Sequence, residues 1–260
     1  MSLAFVMLAN AAVLLLLTTL LWSISVRLRD VSIVDLFWGT GFGVVGWVSY
    51  WNAQLGTTRG LVLAVIATVW GVRLSVYLGL RNHGRPEDYR YAAMRAKREK
   101  SFWWSSLFIV FWLQGAVMWL VSLPLQAGSV SASELSGLNL LGIPIWMLGF
   151  FFEAVGDYQL ARFKRTETGV MNQGLWRYTR HPNYFGNALL WWGITLVALE
   201  SSNLWILVSP MVMTFLLVKV SGVALLERSL SRRSTEYQQY MQQTSSFFPM
   251  PPRKLLHSGE

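Results

Sequence analysis

The chain has 260 residues, of which 53% are hydrophobic and 13% charged, with a formal net charge of +9. That charged share is about half the share in an ordinary soluble domain; it excludes a water-soluble globule and points to one membrane domain over residues 1–260. Cysteine is absent, which excludes a disulfide framework and a thiolate metal site, and the three scattered histidines make a poor metal site, so none is expected.

The first hydrophobic run, 3–22, meets the roughly 20 residues needed to cross about 30 Å of hydrocarbon. It has neither a basic n-region nor a small-residue cleavage site, so it is expected to remain as a span. Further spans are predicted over 33–51, 60–80, 102–124, 138–160, 185–199 and 204–223, which makes an all-α bundle of seven transmembrane helices. The sixth is short and is expected to begin inside protein. The only glycine-rich run, GTGFG at 39–43, lies within the second span with no strand before it. It therefore reads as helix packing and not as a dinucleotide fingerprint. No P-loop is present, and the internal repeats of many transporters are not apparent.

Loop charge orients the bundle. Arg and Lys crowd the loops after spans one, three, five and seven, whereas the opposite loops carry only Arg59. The positive-inside rule then sets the N-terminus outside and the C-terminus in the cytoplasm. The net charge is mostly a topology signal, and no nucleic-acid partner is implied.

Topology does not account for the polar residues within spans. Asp35, Arg73, Glu153 and Asp157 all fall in the half nearest the basic loops, where ionisable groups are costly and pair or line a wet cavity. Glu153 and Asp157 are four residues apart and share a helix face, and Asn183 and Asn187 repeat that spacing. For any one of them a structural role remains open: Asp35 with Arg73 as an ion pair, or Gln114 bonding another helix. Together they point to a pocket opening to the cytoplasm. The surrounding basic loops suit a polyanion, and the tail 224–260, with Tyr237 and Tyr240, is expected to cover it. Pro182 suits the first turn of a helix, whose N-terminus, with Arg177, Arg180 and His181, adds positive charge at the mouth.

The motifs SIVD with Trp38 (32–38), WGVRLSVY (70–77), NHGRP (82–86), LQG (113–115), DYQLARFKR (157–165) and GLWRYTRHPNYFG (174–186) follow in order. The tail adds ERSL (227–230) and EYQQYMQQTSSFFP (236–249). In this the chain resembles the steroid 5-alpha-reductases, within the wider group of sterol reductases and isoprenylcysteine carboxyl methyltransferases. The resemblance implies a seven-helix bundle that holds NADPH and reduces the C=C bond of a hydrophobic enone, steroid-like or otherwise, as a monomer in the bacterial inner membrane. It maps cofactor contacts onto Asp157, Lys164, Asn183, Arg228 and Tyr237. Charge and position add Arg85, Arg165, Tyr178, Arg180, His181 and Tyr240. Glu153 stands where those reductases have an asparagine, and Asn187 where they have a glutamate. Asp35 corresponds to the catalytic acid at the substrate ketone, and Trp70 to its tyrosine partner, with Gln114 as a further substrate contact.

Trp70 matters because indole donates a hydrogen bond but cannot supply a proton as a phenol can. The expectation is that burial keeps Asp35 protonated and that it polarises the ketone with Trp70 or a nearby tyrosine, while Arg73 holds the geometry. Two alternatives stand beside this one: a methyltransferase using S-adenosylmethionine in the same pocket, and a non-catalytic lipid-binding protein.

Overall fold

The computed structural model describes residues 1–253 apart from 221, 224–225, 228–229 and 231–233. Among the described residues the chain is helical and has no strand, only an isolated bridge between Thr179 and Ser245. Helices occupy all seven segments read as spans. In chain order the helices are α1 (Leu3–Leu28), α2 (Ile33–Ala53), α3 (Thr58–Asn82), α4 (Tyr89–Arg98, in the loop between the third and fourth segments), α5 (Phe102–Ser106), α6 (Leu113–Val121), α7 (Leu123–Ser129), α8 (Gly137–Thr166), α9 (Pro182–Ala198) and α10 (Val208–Phe215), with a further one in the tail, Thr235–Gln243. Among the described residues four helical stretches are long and apolar enough to cross a membrane: α1, α3, the run Tyr89–Val121 and α8. The protein thus has the makings of a multi-pass membrane protein. The helix α2 has the length, but its glycines, tryptophans and Asp35 make it less apolar, and the Leu204–Val220 helix is shorter.

The run through α5 and α6 is joined by a π-helical stretch, Leu107–Trp112. Such wide turns shift helix phase and are frequent near functional sites; this one ends just before Gln114. The fourth predicted span, 102–124, is broken near its end. The helix stops at Val121 and restarts as α7, with Pro124 in its first turn.

Contacts divide the chain into two compact units, one of residues Met1–Asn139 with Val197–Ser209, the other of Leu140–Leu196 with Pro210–Glu260. In the first, α2 and α3 pack backbone to backbone. A Cβ on Gly39 would overlap the Gly71 carbonyl, one on Gly43 would lie 3.3 Å from Thr68, and one on Gly46 3.0 Å from Ala64. The GTGFG run is therefore a packing surface, as its sequence context implied. Polar bonds then fasten α1 to its neighbours, as expected where apolar tails provide no drive for helices to associate. Asn10 donates to Ser49 at 2.8 Å, Trp112 to Thr19 at 3.0 Å, and Trp119 to the Met7 carbonyl at 2.9 Å.

Arg59, the lone cation of its side in the sequence, is 1% exposed. It donates to Glu200, Ser131 and Ser133, to the Glu134 carbonyl at 3.0 Å and to Asn139 at 3.2 Å. It ties the start of α3 to two loops. Burial pushes the Glu200 carboxyl up, but hydrogen bonds from Ser131, Ser133 and Arg59 outweigh that and hold it below its ordinary value.

In the second unit α8 and α9 run antiparallel along two glycine rows spaced by seven, Gly142, Gly149 and Gly156 against Gly186 and Gly193. A Cβ on Gly149 would stand 2.7 Å from the Gly186 carbonyl oxygen, one on Gly186 2.5 Å from that of Gly149, and one on Gly193 2.8 Å from that of Gly142. Small residues at a repeat of seven let two helices approach closely over several turns. Gly186→Val is therefore expected to destabilise the purified protein by about 1–3 kcal/mol through overpacking, read as a lower unfolding temperature. Gly137→Ala, whose added methyl meets nothing within 4 Å, should leave it unchanged.

Candidate functional site

Among the described residues two constellations of buried and half-buried polar groups stand out, one in each unit. The first is built on the start of α2 and on α4. The turn before α2 is held by Asp88, whose amide donates to Ser32 at 2.7 Å, and by Glu87, which accepts from the Val31 amide at 2.9 Å. Asp88 also caps α4 by accepting from the Arg90 amide at 2.9 Å. This brings Tyr91 and Arg90 to Asp35. The Tyr91 hydroxyl donates to one carboxyl oxygen at 2.7 Å, and Arg90 to the other at 3.0 Å. Gln114 donates to the same phenol oxygen at 3.0 Å. The Tyr91 ring is buried in an apolar cluster with Val31, Val34, Phe102, Val110 and Phe111. Burial pushes the Asp88 and Glu87 carboxyls up, but hydrogen bonds and the charges of Arg90 and Arg95 hold both below their ordinary values.

The second constellation lies along the α8–α9 seam. The glycine register sets Asp157 opposite Asn183, which donates to it at 3.0 Å, and Glu153 opposite Asn187, which donates at 3.3 Å. Two carboxyls and two carboxamides thus form two rungs one turn apart, and Glu153, Asp157 and Asn187 are all buried. The Asn187 carbonyl oxygen is buried with no hydrogen-bond partner among the described residues. Asn183 also caps α9, accepting from the Tyr184 amide at 3.0 Å, and Pro182 opens that helix as its sequence position implied.

The segment before α9 and the tail are locked together. Arg180, buried, donates to Glu227 at 2.8 Å and to the Met241 carbonyl at 2.9 Å, and also to the Thr244 carbonyl. His181 contacts Glu227 at 3.3 Å and stacks on Tyr184 with ring centroids 5.5 Å apart. Tyr240 donates to the Trp176 carbonyl, and the Trp176 indole to the Gly156 carbonyl at 3.0 Å. Tyr237 packs edge-on against Tyr240, and burial, then the charge of Glu227, push its phenol up to about 12. Sequence reasoning set Arg180, His181, Tyr237 and Tyr240 at a cofactor; here Arg180, His181 and Tyr240 bond within the protein and Tyr237 is buried.

The remaining candidates divide. Trp70 is fully buried in α3 against Phe42, and the Arg73 guanidinium lies 5.4 Å from the Tyr77 ring centre. Lys164 and Arg165 are exposed on the last turn of α8, beside an open depression of about 570 Å³ that they line with Thr166, Glu167 and Thr168. Cations there also complement the negative end of the helix dipole. Arg85 and Tyr178 are exposed, Arg85 beside the turn made by Gly84 at φ 70°. Arg228 lies outside the described residues. Tyr91 and Arg90 were missed, because they sit in a short basic helix whose charge read as topology. The signal available was Tyr91 three residues after the helix-capping Asp88.

A family model described as a protein of unknown function, DUF1295, matches residues 21–244. An uncharacterized protein of Schizosaccharomyces pombe is 24% identical over 269 aligned positions, covering 90% of this chain and 77% of its own length. No solved structure matches the chain.

The lock around Glu227 makes a pH-dependent prediction. Burial raises that carboxyl, but hydrogen bonds from His181 and Arg180 and the Arg180 charge hold it below its ordinary value of 4.5. A depressed carboxyl stabilises the fold above its unfolded pKa and loses that contribution as pH falls through the folded pKa. Glu227→Gln leaves Arg180 uncompensated and is expected to destabilise by about 3 kcal/mol at pH 7. The gap between variant and wild-type unfolding temperatures should close below pH 4.5.

Proposed function

The chain belongs to the DUF1295 family of proteins of unknown function, and within it we propose an NADPH-dependent membrane reductase that saturates the C=C bond of a hydrophobic α,β-unsaturated ketone, similar to the steroid 5-alpha-reductases. The observation that carries this reading is the Tyr91 hydroxyl, held between Asp35 and Gln114 in an apolar cluster. The reading takes the chain to be a monomeric seven-span protein of a bacterial inner membrane, its C-terminus and cofactor site cytoplasmic.

NADPH, when bound, supplies the hydride. As an enone takes up hydride at its β-carbon, negative charge grows on the carbonyl oxygen, and a positioned donor must meet it. Tyr91 is the donor that Trp70 cannot be, because a phenol delivers a proton and an indole only a hydrogen bond. Both Asp35 oxygens act as acceptors, so we assign Asp35 to orienting Tyr91 rather than to donating. When the phenol turns its proton to a ketone, Asp35 keeps the Arg90 hydrogen bond at 3.0 Å and is not left bare. Gln114, still donating to the phenol oxygen, steadies it as its proton departs.

The residues of the second unit fit such a cofactor. The Asn187 carbonyl oxygen, with no partner among the described residues, is a buried acceptor suited to the amide N–H of a nicotinamide. Glu153, Asp157 and Asn183 add hydrogen-bonding edges beside it. Lys164 and Arg165, exposed with Arg177 and Tyr178, suit the phosphates, and Arg180 acts by holding the tail in place. S-adenosylmethionine would use few of these cations.

The test is purified protein in detergent, with NADPH, NADH and S-adenosylmethionine titrated separately and NADPH oxidation followed with a steroid enone. Binding should favour NADPH and weaken about tenfold in Lys164→Ala and Asn183→Ala, the loss of one charge-assisted or buried hydrogen bond. Tyr91→Phe should lower turnover about 10²- to 10³-fold with NADPH affinity unchanged. Preference for S-adenosylmethionine, or full turnover by Tyr91→Phe, overturns the reading.

A further inference from the structure

We propose that a cavity where α1 ends binds the phosphate group of an anionic phospholipid. This does not rest on the reductase reading. The cavity holds about 270 Å³, and Arg29, Arg95, Val26, Phe102, Trp103 and Ser106 are among the residues that line it.

Its two arginines are held in different ways. Arg29 caps α1 in the left-handed conformation, φ 55°, and its amide donates to the Ser25 carbonyl. Its own carbonyl accepts from Arg95 at 3.2 Å. The backbone of Arg29 is therefore fixed, while its guanidinium makes no hydrogen bond to another described residue and keeps its N–H donors for a ligand. Arg95 is braced from behind. Its Nε and Nη2 donate to Glu87 at 3.0 and 2.8 Å, and its guanidinium lies 4.8 Å from the Phe102 ring centre. That leaves Nη1 and a preset plane. Glu87 offsets one of the two positive charges, so the pair presents about one net charge, the complement of a phosphodiester. Guanidinium forks match phosphate oxygens in geometry.

The rim identifies the source of the phosphate. Val26 and Trp103, which line the cavity, are exposed at 37% and 57%, as are Leu28 and Trp104, chain neighbours of the lining residues Arg29 and Trp103, at 61% and 49%, and the Trp22 indole fixes this edge by donating to the Trp103 carbonyl at 2.8 Å. A cation pair with an apolar, tryptophan-rich lip at the end of a membrane-length helix is suited to a headgroup with its acyl chains alongside. A soluble phosphate has no use for that lip.

The experiment puts the full chain into nanodiscs of equal phosphatidylglycerol and phosphatidylcholine and counts, by native mass spectrometry, the lipid retained on release. The variants are Arg29→Gln and Arg27→Gln, the latter removing an equal charge two residues away from a position that does not line the cavity. Wild type should retain phosphatidylglycerol preferentially. Arg29→Gln should lose about tenfold, as for one charge-assisted hydrogen bond, with its unfolding temperature in neutral detergent unchanged, and Arg27→Gln should stay within about twofold. Equal loss in both variants would mean diffuse attraction to the surface and would overturn the site. So would retention without preference. If inorganic phosphate stabilises the detergent-purified protein as much as phosphatidylglycerol does, and only when Arg29 is present, the ligand is a soluble phosphate and the lipid assignment fails.

Discussion

Taking a carboxyl out of water is costly in protein or in hydrocarbon, so one that is buried or half-buried must find its donors within the protein or be paired with a cation. This requirement organises both units. Asp35 is met by a phenol and a guanidinium, Glu153 and Asp157 by carboxamides, Glu200 by Arg59 with two serines, and Glu227 by Arg180 with His181. The choice of donor separates roles. The Arg59 and Arg180 pairs engage several groups at once and act as clamps. In the carboxamide rungs the donor is a neutral amide, and one of them leaves a buried carbonyl oxygen with no partner among the described residues. Groups satisfied only in part are where a polar ligand gains most.

The rungs depend on the glycines. Residues in contact across the seam have numbers that sum to about 339, as in Gly149 with Leu190, Glu153 with Gly186 and Gly156 with Asn183. One register therefore sets every pair. Because glycine rows repeat every seven residues on both helices, backbones stay close for several turns, and short side chains such as Asn and Asp can meet across the gap. A larger residue in either row would part the helices and pull both rungs open. Packing and chemistry are here a single constraint.

How much of this was legible follows the same line. Helices and buried acids could be read because periodicity and hydropathy are local properties of the chain. The four-residue spacings of Glu153 with Asp157 and of Asn183 with Asn187 foretold two shared faces, though not that those faces meet. The glycine rows were in plain view but went unread, since a spacing of seven acquires meaning only when a second helix carries its match. Partner choice was the least legible. Arg73 was the cation the sequence offered to Asp35, and the capped turn at Asp88 is what delivers Arg90 to it. Arg180 bonds to the Met241 carbonyl and Tyr240 to the Trp176 carbonyl, each across some 60 residues of chain, and a linear motif does not reveal such pairings.

The cations make the last step. Positive-inside counting treats every Arg and Lys alike, yet this protein holds two populations. Arg59, Arg90, Arg95 and Arg180 donate to carboxylates of their own chain, so their charge is offset where they stand and their worth lies in geometry. Arg29 makes no side-chain hydrogen bond to a described residue, and Arg85 and Arg165 are exposed. Cations whose charge is not already offset supply the attraction for a phosphate, whether on a cofactor or a lipid, while an arginine already forked onto a carboxylate, as Arg95 is onto Glu87, adds donor geometry more than charge. The sequence sums both populations into one topology signal; burial and pairing separate them.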